Sequence, residues 1–116
     1  MERMMIVEDH SAFAQALQIV LGGGTEVVLA RTVEEGRALI GDGGPFDVVV
    51  LDLNLPDGEG TDLVPDIRQR RPQTRVAVLS ARDDIGEVVS RVGADIAIPK
   101  ETPLPDIISA LRRLMD

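Results

Sequence analysis

The stretch Phe46-Asp47-Val48-Val49-Val50-Leu51-Asp52 decides the fold of this chain. Its apolar part, residues 48–51, has no polar alternation, which is typical of a strand buried on both faces of a parallel sheet. Asp52 follows at the point where that strand must leave the core. Open α/β sheets bind their ligands just beyond the carboxyl ends of the strands, so this stretch predicts a functional acid at Asp52.

Length and composition limit the kind of protein. With 116 residues we expect one domain, residues 1–116, with a core covered on both sides. The lack of cysteine excludes disulfides, thiolate zinc sites and cysteine nucleophiles. A formal net charge of −8 and only two aromatic residues, both Phe, argue against direct nucleic-acid binding. No run approaches the ~20 apolar residues of a membrane span, and the start lacks a signal-peptide core, so a soluble, cytoplasmic protein is expected.

Runs with strand character alternate with helical patterns along the chain. Strands are predicted at residues 4–7, 25–30, 48–51, 75–79 and 95–98, and each is followed by apolar residues at helical spacing. Five strands alternating with five helices imply right-handed crossovers and therefore a parallel sheet.

The helix ends carry their own signals. Gly22-Gly23-Gly24 is expected to end the first helix, because glycine readily takes the left-handed conformation needed there. Pro65 is tolerated only in a first turn, so the third helix should start late, with Asp62 as its cap. Thr102 is expected to cap the last helix, with Pro103 at its first position.

Polar residues stand at the ends of four of the strands. Glu8 and Asp9 follow the first, Asp52 the third, Ser80 the fourth and Lys100 the last. Carboxyl ends of parallel strands meet at one edge, so these side chains should converge. Three carboxylates repel one another unless a cation lies among them, and both Lys100 and a divalent ion can supply positive charge.

Magnesium is the ion that this set favours, because it prefers oxygen ligands and keeps some of its waters. The expected ligands are Asp9, Asp52 and the main-chain carbonyl of Asn54. An aspartate beside a metal and an ammonium can act as a nucleophile toward phosphorus. The Ser80 hydroxyl could donate to a phosphoryl oxygen, and Lys100 could stabilise charge on the transferring group.

At these positions the sequence strongly resembles the response-regulator receiver family. The resemblance implies a flavodoxin-like α/β fold with a five-stranded parallel sheet of order 2-1-3-4-5, and phosphorylation of Asp52 by a histidine kinase or a small phosphodonor. It assigns Glu8 and Asp9 to the metal site, Ser80 to the switch hydroxyl and Lys100 to the phosphoryl ion pair. The matching features are Val7-Glu8-Asp9-His10, residues 47–58, Val78-Leu79-Ser80-Ala81, and Gly93-Ala94 ahead of Lys100.

Two short motifs indicate one class within this family. Glu8-Asp9-His10 and Lys100-Glu101 are most similar to receivers of the LuxR/NarL class, which implies a C-terminal or separate DNA-binding effector and allows a homodimer on phosphorylation. The resemblance implies a switch with weak self-catalysis rather than an enzyme.

The sequence departs from the family pattern at two positions. Ala97 stands where the family commonly has an aromatic residue, and Pro99 precedes Lys100 where the family often has proline after it.

Two other functions fit parts of the pattern. The departures at Ala97 and Pro99 suit a protein-interaction module that works without phosphorylation. A small aspartyl phosphatase ranks last, because Asn54 stands where such enzymes usually have a second aspartate.

Two basic features are interpreted as structural rather than functional. We interpret His10, the one histidine, as a rim residue at a helix start and not as a phosphotransfer group. The arginines at positions 68, 70 and 71 are interpreted as a solvated cluster at a helix end, where cations complement the dipole.

Overall fold

The computed structural model describes residues 2–116 and shows strands and helices in strict alternation. All five strands are parallel, and their order in the sheet is β2-β1-β3-β4-β5, as the sequence and the family resemblance predict. None of the helices in the described residues is long and apolar enough to cross a bilayer. The elements are β1 Glu2–Val7, α1 Ser11–Leu21, β2 Thr25–Ala30, α2 Val33–Asp42, β3 Val48–Leu51, a 3-10 turn Gly60–Leu63, α3 Val64–Arg70, β4 Arg75–Ser80, α4 Ile85–Val92, β5 Ile96–Pro99 and α5 Leu104–Leu114.

The central strand β3 supplies both faces of the sheet. Val48 and Val50 pack into one core cluster with residues of α1 and α5, including Leu17. Val49 and Leu51 pack into the opposite cluster with residues of α2 and α3. Side chains alternate along a strand, so a strand covered on both faces needs an apolar residue at every position. This packing explains the unbroken run that precedes Asp52.

The start of α3 confirms part of its prediction and corrects the rest. The helix begins at Val64 with Pro65 in its first turn, so the late start is confirmed. Asp62 as the cap of α3 is wrong. Asp62 accepts a bond of 3.3 Å from the Glu59 N–H, and the two form the capping box of the 3-10 turn that precedes α3. The carboxylate of Asp62 is therefore engaged one turn earlier than expected.

The prediction for the start of α5 is also wrong, by one residue. Pro103 is the N-cap, Leu104 is the first helical residue and Pro105 lies in the first turn. The Thr102 N–H donates to the Pro99 carbonyl at 3.0 Å, so Thr102 belongs to the turn between β5 and α5. Proline is compatible with either the cap or the first turn, and the sequence alone could not decide between Pro103 and Pro105.

Two glycines end helices in different ways. The first helix ends before Gly22, as predicted, but Gly22 has φ −69° and neither Gly23 nor Gly24 has a positive φ, so the expected left-handed conformation is wrong. Gly93 ends α4, and it adopts the left-handed conformation with φ 77°. At Gly93 a side chain would be strained, whereas at Gly22 the conformation itself suits any residue.

The basic cluster at the end of α3 is more structural than the sequence suggested. The guanidinium of Arg68 donates to main-chain carbonyls, including those of Thr74 and, at 2.9 Å, Gly93. Arg71 lies 3.3 Å from the carboxylate of Asp47. The expectation of a purely solvated face is therefore wrong for Arg68 and Arg71, which join α3 to the loops around β3, β4 and β5.

Candidate functional site

The carboxyl edge of the sheet brings together three predicted acids. Carboxylate oxygens of Glu8, Asp9 and Asp52 all lie within 4.8 Å of one another. Glu8 and Asp52 are buried, with 3% and 4% of their surface exposed, whereas Asp9 is exposed. The cluster forms because β1 and β3 are neighbours, and the Asp52 N–H donates to the Val7 carbonyl at 3.0 Å.

Lys100 reaches this cluster from the end of β5. Its Nζ lies 2.6 Å from Glu8 Oε1 and 3.0 Å from Asp52 Oδ2. Pro99 pairs with Ser80 as the last residue of β5, and the Lys100 N–H donates to the Ser80 carbonyl at 3.0 Å. The unusual Pro99-Lys100 order thus leaves the ammonium beside Asp52.

Burial and ion pairing act against each other in this site. Burial raises the pKa of Glu8 to about 7, although the hydrogen bond with Lys100 acts in the opposite direction. Burial alone would lower the pKa of Lys100, but its hydrogen bonds to Glu8 and Asp52 raise the pKa overall. When all three carboxylates are ionised, one ammonium leaves the cluster with net negative charge, and a further cation is then favoured.

The donor set fits magnesium. The cluster offers hard carboxylate oxygens, and the exposure of Asp9 opens it to solvent, which lets a bound ion keep waters. Asn54 lies beside the cluster, and its N–H donates to Asp52 Oδ1 at 3.2 Å. The role of the Asn54 carbonyl as a metal ligand stays a prediction.

Ser80 lies fully buried at the end of β4. Its Oγ accepts a hydrogen bond of 3.3 Å from the Arg82 N–H, and its role as the switch hydroxyl stays a prediction. The side chain of Arg82 forms ion pairs with Asp84 at 2.7 Å and with Glu59 at 3.0 Å. The Arg82–Glu59 pair joins the loops after β4 and β3, and no local pattern could reveal this contact across 23 positions.

Asp57 makes a second contact that the sequence did not predict. Its carboxylate accepts hydrogen bonds from the N–H groups of Val33, at 2.8 Å, and Glu34, at 3.0 Å. These are free donors at the start of α2, and the bond from Val33 is the main reason why the pKa of Asp57 is lowered. Asp57 thereby ties the loop after Asp52 to α2. The Asp57-Gly58 pair signals a turn but not its distant partner.

Two residues at the N-terminal end of α1 flank the cluster. His10 is exposed at the N-cap of α1, as predicted, and its N–H donates to Glu8 Oε2 at 3.1 Å. The ring centroid of Phe13 lies 5.3 Å from the Nζ of Lys100. The sequence around Phe13 does not predict this contact, because the contact joins residues 87 positions apart.

The fold and this site define a receiver domain. The family model for the response regulator receiver domain matches residues 4–112, and the chain belongs to that family. Members are the receivers of two-component systems, which switch by phosphorylation and control effectors.

Curated relatives carry this domain within longer proteins. The chain is 37% identical to the response regulator protein PilR of Pseudomonas aeruginosa, over 80% of this chain and 21% of that protein. It is 33% identical to the photosynthetic apparatus regulatory protein RegA of Rhodobacter capsulatus, over 93% of this chain and 60% of that protein. The chain thus spans between a fifth and three fifths of the length of these relatives.

Solved structures share the whole fold. A CheY-like receiver domain protein from Methanospirillum hungatei superimposes with a TM-score of 0.90 at 28% identity, over 100% of this chain and 94% of that one. A response regulator from Burkholderia pseudomallei, solved with a phosphorylated aspartic acid, a calcium ion and citrate, gives 0.84 at 26% identity, over 96% and 66%. DrrB of Thermotoga maritima, described as an OmpR/PhoB homologue, gives 0.84 at 26% identity, over 99% and 52%.

Proposed function

We propose that this receiver accepts a phosphoryl group on Asp52 in a magnesium-dependent reaction and so controls an effector. The observation that carries the proposal is the convergence of three carboxylates within 4.8 Å, with the Lys100 ammonium 3.0 Å from Asp52. The phosphorylated aspartic acid and calcium ion of the Burkholderia protein support the same chemistry here.

In this reaction the phosphoryl group moves from a nitrogen or oxygen atom of the donor to a carboxylate oxygen of Asp52. An Asp52 carboxylate oxygen forms the new bond to phosphorus, while the bond to the imidazole nitrogen of a histidine kinase, or to the oxygen of a small acyl phosphate, breaks. Lys100 pairs with a phosphoryl oxygen, and the Ser80 hydroxyl donates to another. An ionised Asp52 can attack without a deprotonation step. The donor atom leaves with the electron pair of its broken bond to phosphorus.

Magnesium would be held by Asp9, Asp52 and the Asn54 carbonyl, with Glu8 at its edge. When bound it supplies positive charge that offsets the charge of the incoming phosphoryl group. The chain's own residues orient the reaction: β3 fixes Asp52, and Glu8 holds Lys100 beside it through the 2.6 Å contact.

The proposed partners are a histidine kinase, in the cytoplasm, and a transcriptional effector. The names of KdpE of Escherichia coli, a KDP operon transcriptional regulatory protein, and of PmrA of Pectobacterium parmentieri, a transcriptional regulatory protein, both 34% identical, support an effector that acts on transcription, attached or separate. The LuxR/NarL resemblance rests on Glu8-Asp9-His10 and Lys100-Glu101, whereas DrrB is an OmpR/PhoB homologue. We therefore propose a DNA-binding effector without restricting it to the LuxR/NarL class, and homodimer formation on phosphorylation.

Intact-mass measurement after treatment with acetyl phosphate and Mg²⁺ tests the proposal. The wild type should gain one phosphate, and the gain should disappear with a chelator or in Asp52→Asn. Asp83→Asn, an exposed aspartate outside the cluster, is the matched control and should label like the wild type. An unlabelled wild type, or a fully labelled Asp52→Asn, would overturn the proposal.

A second candidate is an interaction module that needs no phosphorylation. Ala97, which carries no ring, packs half-buried against the cluster of Leu53, Val78, Ile85 and Val88. A receiver that lacks the switch aromatic could present a fixed surface. Partner binding that is unchanged in Asp52→Asn would favour this function. We expect no independent enzyme activity, and turnover of a generic phosphate ester would instead indicate a phosphatase.

A further inference from the structure

An aromatic ring from α1 lies beside Lys100. The Phe13 centroid lies 5.3 Å from the Nζ, within the ~6 Å at which an ammonium is attracted to the face of an aromatic ring. Ala97, at the position where the family commonly carries an aromatic, has no ring. Phe13 is partly buried against the core cluster that contains Leu17 and Ile107, so its position is set by packing.

The ammonium of Lys100 is held from three sides. Glu8 and Asp52 supply carboxylate oxygens from the ends of β1 and β3, and Phe13 supplies a ring from α1. A lysine side chain is long and flexible, and the side chain of Lys100 still has 22% of its surface exposed. The two carboxylates hold the ammonium by charge, and the ring adds a third contact, from α1, that further restricts its position.

We propose that Phe13 is a positioning residue, which holds the Lys100 ammonium beside Asp52 through a cation–π interaction during phosphoryl transfer. The inference rests on the proposed function, because its effect is on that reaction. Phe13 does not touch the reacting atoms. It restricts the ammonium to the place where a phosphoryl oxygen will need it, and this pre-organisation increases the rate.

An ordinary core phenylalanine would show the same burial, so the test must separate electrostatics from packing. Fluorination keeps the shape of the ring while it withdraws negative charge from the ring face. If the ring acts through that charge, the rate should fall with each added fluorine; if it acts only by filling space, the rate should stay constant.

The experiment uses the full chain with mono-, di- and trifluorophenylalanine at Phe13. The rate of phosphorylation by acetyl phosphate with Mg²⁺ should fall stepwise, to about tenfold below wild type for the trifluoro ring, since a partly desolvated cation–π contact has roughly that effect. NMR of Lys100 provides a second readout, because the ring current should shift its Hε resonances upfield and Phe13→Leu should abolish that shift.

Phe46 is the matched control. Its ring also lies against a cation, 4.8 Å from the Cζ of Arg3, but Phe46 precedes β3, at the end of the strand opposite to Asp52. The same fluorination at Phe46 should leave the phosphorylation rate unchanged. A wild type that is phosphorylated, combined with a flat fluorine series at Phe13, would overturn this inference alone. A wild type that takes no phosphate would overturn the proposed function and this inference with it.

Discussion

Gly60 lies where a single methyl group would disturb the phosphoacceptor. Its N–H donates to the Asp52 carbonyl at 2.9 Å. A Cβ added at Gly60 would lie 2.2 Å from that same carbonyl oxygen and 3.1 Å from the Cβ of Leu51. Real Cβ atoms essentially never approach closer than 3.0 Å, so in Gly60→Ala the loop or the end of β3 must move by about 0.8 Å.

The expected loss of free energy of unfolding in Gly60→Ala has two parts. Overpacking costs about 1–3 kcal/mol, and loss of the hydrogen bond to Asp52 costs about 1 kcal/mol more. For a domain of this size the melting temperature should fall by about 5–15 °C. A misplacement approaching 1 Å at the nucleophile should slow phosphorylation by about 10–100-fold.

Thermal unfolding and intact-mass kinetics with acetyl phosphate would measure the two effects. Gly86→Ala in α4 is the matched control, because an added Cβ meets nothing within 4 Å there. It should stabilise the protein by up to about 1 kcal/mol and leave phosphorylation unchanged. A Gly60→Ala protein that melts and reacts like the wild type would show that the close approach to Asp52 has no consequence.

Two further predictions concern the core and the loop after Asp52. Leu17 is fully buried, so Leu17→Ala should destabilise the domain by about 2–5 kcal/mol in urea unfolding, whereas Ile19→Ala, at a residue 78% exposed, should change stability by less than about 0.5 kcal/mol. Equal losses would refute the assignment of the core. Asp57→Ala removes the acceptor of the Val33 and Glu34 N–H groups. Folding lowers the pKa of Asp57 below its ordinary value of 3.8. The carboxylate therefore contributes its full stabilisation of the folded state above pH 3.8, and this stabilisation is lost as the pH falls through the folded pKa. The stability difference between wild type and Asp57→Ala should therefore shrink from pH 7 to about pH 2, and a difference independent of pH would contradict the capping role.

The strands and the acid cluster could be predicted because their signals are local. Residues 48–51 needed only their own apolar character to be assigned to a doubly covered strand, and parallel topology then placed Glu8, Asp52 and Lys100 at one edge. The packing of alternate β3 residues into opposite clusters has the same cause.

The helix starts were less predictable, because several residues could serve the same role. Asp62 is a good capping residue, and it does cap, but in the 3-10 turn with Glu59 rather than at α3. Pro103 and Pro105 both suit the start of a helix, and only the turn between Thr102 and Pro99 selects between them. Propensity identifies candidates, while the path of the chain decides among them.

The sequence by itself determined the alternating α/β architecture and the phosphoacceptor candidate Asp52, since both depend on which residues must be buried along a short segment. Only the tertiary structure decided that Lys100 is shared between Glu8 and Asp52, that Phe13 lies against its ammonium and that Asp57 accepts hydrogen bonds from the start of α2. Those contacts join segments far apart in the chain, and their geometry depends on how helices and loops settle on the sheet. Local periodicity records burial but not the partner of a side chain.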